Sequence, residues 1–119
     1  VTEMLRPGTA VDAAAIDVAT APLPAAQVVD GTPATGDVAL GELGDAELGV
    51  WVMTPGVATD IEVDEAFVVL SGRARIDIAA AAGGPVSLEV GPGSLVRLGA
   101  GMATTWTVTE TLRKVYLAR

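Results

Sequence analysis

Thr104-Thr105-Trp106-Thr107-Val108-Thr109 alternates residue by residue, with Thr105, Thr107 and Thr109 on one side and Thr104, Trp106 and Val108 on the other. Side chains of a strand point to opposite faces in turn, so this run predicts a strand with a polar outer face and Trp106 directed inward. Glycine or proline punctuates the chain on both sides of it, at Gly36, Gly41, Gly44, Gly49, Pro55-Gly56, Gly72, Gly83-Gly84-Pro85, Gly91-Pro92-Gly93, Gly99 and Gly101. The runs between are rich in β-branched and aromatic residues. They predict strands near 37–42, 46–54, 61–71, 73–79, 86–90, 94–98, 103–109 and 112–118. Many short strands at this spacing indicate a sandwich or a barrel, so the chain reads as all-β.

The whole sequence of 119 residues fits one domain and is 50% hydrophobic, enough for a core without a staple. It contains no histidine and no cysteine. Zinc fingers, Ser-His-Asp triads, cysteine nucleophiles and imidazole bases are therefore excluded. A net charge of −8 opposes binding to nucleic acid and to anionic membrane surfaces. Residues 1–65 hold twelve acids and one base, whereas residues 66–119 hold three acids and six bases. Within one domain that asymmetry predicts halves that complement each other.

Residues 1–30 read as an N-terminal arm ahead of a single domain over 31–119. Val11, Ala14, Ala15 and Val18 fall on one helical face and Pro22 would end such a helix; an extended arm is the alternative. The stretch 10–29 is broken by Asp12, Asp17, Pro22 and Pro24, which fits neither a signal peptide nor a membrane span. A cytoplasmic location is the expectation, and the missing cysteine is compatible with it.

Ala66-Phe67-Val68-Val69-Leu70 is apolar on both faces, so the side turned from the core needs a cover, from the arm or from a second copy. A homodimer is expected. On a regular strand Ile61, Val63, Phe67 and Val69 share an apolar face with Glu65, a carboxylate that wants a partner or a task. The acidic run Asp60, Glu62, Asp64, Glu65 has the oxygen ligands of a hard-metal site, but on a regular strand Glu62 and Asp64 face away from Glu65, and a solvated strand edge is the expectation. Lys114 is the only lysine and shares a face with Tyr116. Apolar alternation alone would instead turn Val115 and Leu117 inward. Ser71, Ser87 and Ser94 lie by turn glycines or on short strands, and none stands out as a partner for Lys114.

Two groups of residues resemble the motifs of the cupin superfamily. The first is Trp51, Pro55-Gly56 and Asp64-Glu65-Ala66-Phe67-Val68-Val69-Leu70-Ser71-Gly72; the second is Gly93, Gly99-Ala100-Gly101, Trp106-Thr107-Val108-Thr109-Glu110 and Arg113-Lys114-Val115-Tyr116. Over roughly residues 30–119 the pattern is similar to small single-domain cupins related to ethanolamine-utilisation and ureidoglycine-aminohydrolase cupin domains. The resemblance implies an all-β cupin jelly-roll β-barrel (a double-stranded β-helix) with an N-terminal arm, a small-molecule pocket at its wide end, and dimers. It also implies that Lys114 and Tyr116 turn inward. Metal-binding cupins place histidines where this chain has Thr59 and Ile61, or Ala58 and Asp60, and a third where it has Thr104; of that ligand set only Glu65 remains. Ser94 and Gly99 also depart from the pattern. No metal and no cofactor is expected.

The expected function is binding of a small polar metabolite in the barrel, lined by Trp51, Glu65, Phe67, Thr104, Trp106, Lys114 and Tyr116. A small-molecule enzyme of aminohydrolase or isomerase type, using Glu65, Lys114 and Tyr116, is the first alternative. A ligand-free structural or regulatory cupin is the second.

Overall fold

The computed structural model of the chain describes residues 4–81 and 84–119, so Gly83 and the first three residues of the arm lie outside it. Among the described residues nine strands run in chain order: β1 (Ala21–Pro22), β2 (Val28–Asp30), β3 (Ala34–Leu43), β4 (Ala46–Met53), β5 (Gly56–Ile61), β6 (Glu65–Ala81), β7 (Gly84–Val90), β8 (Leu95–Leu98) and β9 (Ala103–Ala118). A single 3-10 turn at Ala25–Gln27 interrupts them. All pairings are antiparallel, in the order β1-β3-β4-β9-β5-β2, with β6 joining β9 to β7 and β8. The result is an all-β jelly-roll barrel. Among the described residues no helix is long and apolar enough to cross a membrane.

Two long strands carry the architecture. β6 and β9 pair along most of their lengths, while the free edge of β9 takes β5 along its first half and β4 along its second. The expected breaks at Gly72 and near residue 110 are therefore not turns. The strands expected at 61–71 and 73–79 are largely one bent strand, as are those at 103–109 and 112–118. Their register slips between Val69 and Ala74, a cluster of bulges that bends both strands at one place. Gly72 has φ +91°, and a Cβ there would stand 2.1 Å from the Thr111 carbonyl oxygen. Gly72→Ala should cost on the order of 1–3 kcal/mol from backbone strain alone. Urea unfolding with an unchanged midpoint would contradict the bulge.

Register also sorts the faces. Trp51 pairs with Lys114 and Gly49 with Tyr116, while Val69 and Phe67 meet the same two residues from the other side. Lys114 and Tyr116 are both buried inside, and Arg113, Val115 and Leu117 point out. The interior is packed by Phe67, Val69, Ile76, Leu98, Trp106 and Leu112, among others. Burying such side chains supplies the main stabilising force, at roughly 25 cal/mol per Å² of apolar area.

Residues 11–18 form no helix; the arm runs extended, with a turn at 13–15. It crosses the outer face of β3, β4 and β9. The Arg113 Nη1 atom donates to the carbonyls of Ala13 and Ile16 at 3.0 and 2.9 Å, and the Leu5 N–H donates to the Leu40 carbonyl. Gly36 admits the close approach, since a Cβ there would meet the Ala19 carbonyl oxygen at 1.9 Å. Val50 and Val52 point outward yet are buried, on the face where the arm docks against Leu40 and Arg113. Further along the same face the cover stops. Val115, Val68 and Leu95 form a row across three strands, and Leu95 is 80% exposed.

The two halves of opposite charge do meet. Asp64 pairs with Arg97 and Arg119, Asp45 with Arg119, and Glu65 with Lys114. Each of these contacts joins an acid from residues 1–65 to a base from residues 66–119.

Candidate functional site

The buried ion pair is the centre of the barrel's chemistry. Lys114 Nζ lies 3.0 Å from Glu65 Oε2, with side chains only 5% and 8% exposed. Three rings surround the same ammonium, with centroids 4.2 Å away for Phe67, 4.5 Å for Trp51 and 4.9 Å for Trp106. The rings also touch each other, Trp51 to Trp106 at 5.4 Å and Phe67 to Trp106 at 5.7 Å between centroids. A desolvated cation gains from such faces as well as from its carboxylate. Burial pushes the Glu65 carboxyl up from its ordinary value, and Lys114 opposes the shift. Burial pushes the Lys114 ammonium down, and Glu65 opposes that. The two proton affinities thus move toward each other.

A second polar group sits beside the first. Trp106 Nε1 donates to Glu62 Oε2 at 3.0 Å and shares its proton with Thr104 Oγ1 at 3.1 Å. The Thr104 hydroxyl donates to the same Glu62 oxygen at 2.6 Å. Glu62 is buried, contrary to the expectation that it faces away from Glu65. The strand is not continuous there: β5 ends at Ile61 and β6 begins at Glu65. Backbone bonds from the Glu62 N–H to Met102 and from the Gly101 N–H to Glu62 anchor the interruption. Ile61 and Val63, expected on the core face with Phe67 and Val69, are consequently 66% and 52% exposed. Asp64 does point away, toward Arg97 and Arg119. One sequence signal for Glu62 existed. Thr104 is a hydroxyl on an otherwise apolar inward face, and it needed an acceptor.

Tyr116 faces the interior but belongs to a different network. Its hydroxyl donates to Glu47 Oε2 at 2.8 Å and to Asp37 Oδ2 at 3.3 Å. Burial and the two carboxylates hold the phenol well above its ordinary range, so it acts as a neutral donor. Gly49 opposite makes room for the ring, because a Cβ there would lie 2.4 Å from the Tyr116 oxygen. Ser87 and Ser94 are occupied elsewhere, by Asp77 and the Gly91 N–H.

These groups border a cavity of about 370 Å³ open at one end of the barrel. Trp51, Glu65, Trp106, Lys114 and Tyr116 line it, together with Glu62. Phe67 and Thr104 stand behind that lining, one against the ammonium and the other against Glu62. A larger groove of about 590 Å³ runs along β5, β6, β7 and β9. It lacks the ion pair, and its Asp77 is already tied to Arg75 and Ser87. The chemistry lies in the smaller space.

Residues 40–116 match the family described as the EutQ-like cupin domain. The chain belongs to this cupin family. Its fold aligns with a DUF861-family protein of unknown function from Pseudomonas syringae pv. tomato, at 25% identity and a TM-score of 0.73. That alignment covers 93% of this cupin and 47% of the other chain, so this cupin spans about half the length of that relative. A putative ethanolamine utilization protein Q from Salmonella typhimurium aligns at 16% identity and TM-score 0.58, over 71% of this chain and 68% of that one. The EutQ protein of Clostridium difficile aligns at 18% identity and TM-score 0.58, over 82% and 74%. Curated proteins give no match.

A cupin metal does not fit the residues present. Thr59, Ile61 and Thr104 offer no imidazole, and Ile61 points outward. The remaining carboxylate, Glu65, has an ammonium on one of its oxygens, where a metal cation would be repelled. Among the described residues no three acidic, histidine or cysteine side chains converge on one point.

Proposed function

We propose that this cupin binds a small polar metabolite in its barrel, and that its own lysine supplies the positive charge beside Glu65. The supporting observation is a cavity of about 370 Å³ that reaches Lys114–Glu65 rather than a floor of packed side chains. A ligand-free structural role would favour a filled barrel. An apolar cleft with a few converging polar groups is the usual form of a small-molecule site.

The same proposal includes a homodimer. In the row Val115, Val68, Leu95 the two valines are half-buried and Leu95 is exposed, an apolar strip of the kind that often marks an interface. Native mass spectrometry of freshly purified protein tests both parts together. The expected mass is twice the chain plus a small organic adduct, with the adduct reduced in Trp51→Ala, whose ring is partly exposed at the cavity. A bare monomer that takes up no small molecule from a cell extract would defeat the proposal.

One observation favours the enzymatic alternative enough to keep it. Glu65 and Lys114 have converging proton affinities, which suits a proton-transfer pair of the kind an aminohydrolase or isomerase uses. Tyr116 has no part in that pair, being held by Glu47 and Asp37. Turnover lost on Lys114→Met with binding kept would favour the enzyme over the binder.

A further inference from the structure

We infer that the metabolite bound in this cavity carries a primary ammonium group. The inference rests on the binding function proposed above and names its ligand class. Four carboxylates line the cavity, Asp37, Asp60, Glu62 and Glu65, and Lys114 is the only base among the described lining residues. Lys114 neutralises Glu65. Tyr116, Thr104 and Trp106 donate to Asp37 and Glu62, but a neutral donor leaves the charge in place. Among the described residues Asp37, Asp60 and Glu62 thus have no ion-pair partner around a partly apolar space, and burial with the neighbouring Glu62 pushes the Asp60 carboxyl upward.

The walls point the same way. Trp51 and Trp106 both border the cavity and both already turn their faces to an ammonium, that of Lys114. The electron-rich face of a ring attracts a cation and does nothing comparable for a carboxylate. A ligand ammonium entering from the open end would meet the partly exposed Trp51 ring together with Glu62 and Asp60. Its N–H groups suit the carboxylate oxygens, and its carbon chain suits the apolar neighbours Leu23, Met53 and Val63. An anionic ligand would have to enter among three carboxyl groups without an ion-pair partner, with its only cationic partner already paired to Glu65.

The protein carries its own reporter, because Trp51 and Trp106 are its two tryptophans. Butylammonium titrated at constant ionic strength should change their emission saturably. Its neutral isostere butan-1-ol and the four-carbon anion butyrate should bind at least about tenfold more weakly, the size expected for losing one charged hydrogen bond. Glu62→Gln should weaken butylammonium by a similar factor. Asp60→Asn, at an exposed side chain that packing does not require, should weaken it several-fold and guards against a Glu62 variant that fails to fold. Butan-1-ol or butyrate binding as tightly as the ammonium would overturn the cation assignment and leave the pocket itself standing. Equal affinity in the Glu62→Gln and Asp60→Asn proteins would also overturn it. No saturable response to any of the three probes would overturn the assignment and the binding function together.

Discussion

Glu65→Leu should destabilise this cupin by about 3–5 kcal/mol, the usual result of removing one partner from a buried ion pair. The Lys114 ammonium would then have only ring faces against it and would have to lose its proton or pull in water. Lys114→Met should cost less, because the stranded group is a carboxyl already pushed upward by burial. Such a carboxyl folds more easily with a proton on it. Its native form then binds a proton that the unfolded chain has released, so stability falls as pH rises from the ordinary glutamate value of 4.5 through the raised one. The Lys114→Met protein should accordingly approach the parent in mild acid and fall behind it at neutral pH. The double variant Glu65→Leu/Lys114→Met should recover most of the loss, since nothing charged is stranded. Urea unfolding of all four proteins gives the cycle. Additive losses in the double variant would mean that the two groups do not act as a pair.

Trp106→Ala should be of similar size, about 3–5 kcal/mol for deleting a buried aromatic ring. The ring touches Trp51 and Phe67, faces Lys114 and donates to Glu62, so its loss opens the wall of the cavity as well as the core. Trp106→Phe separates the two roles. It keeps most of the ring packing and removes the indole N–H, leaving Glu62 with Thr104, at an expected cost of about 1–3 kcal/mol. Equal losses in the two variants would assign the whole effect to the hydrogen bond and none to packing.

The legible parts of the fold were those in which parity ran unbroken. Alternation turns Thr104, Trp106 and Val108 inward, and all three are buried. The same parity continues through Leu112, Lys114 and Tyr116, because β9 is one strand. A break near residue 110 would reset the count and leave Lys114 and Val115 as rivals for the interior. The cupin resemblance chose Lys114, and continued alternation from Trp106 would have chosen it too. Parity misled where the backbone slips. Glu62 follows the phase of Ala58 in β5, whereas Glu65, Phe67 and Val69 follow another phase in β6. No local residue pattern announces a slip between two strands that read as a single apolar run. At Gly72 the signal was present but ambiguous, since glycine marks a bulge as readily as a turn. The partners of Tyr116 were out of reach for a different reason. Glu47 and Asp37 come from strands paired far along the chain, and only the register brings them to the phenol.

Glu65 holds the ammonium of Lys114, and we propose that it holds no metal ion. Elemental analysis of the protein as purified, before and after a chelator, tests it most directly. The expected result is far less than one equivalent of manganese, iron, nickel, copper or zinc per chain, with the unfolding midpoint unchanged by the chelator. A transition metal at one per chain that survives the chelator and disappears in Glu65→Gln would contradict it.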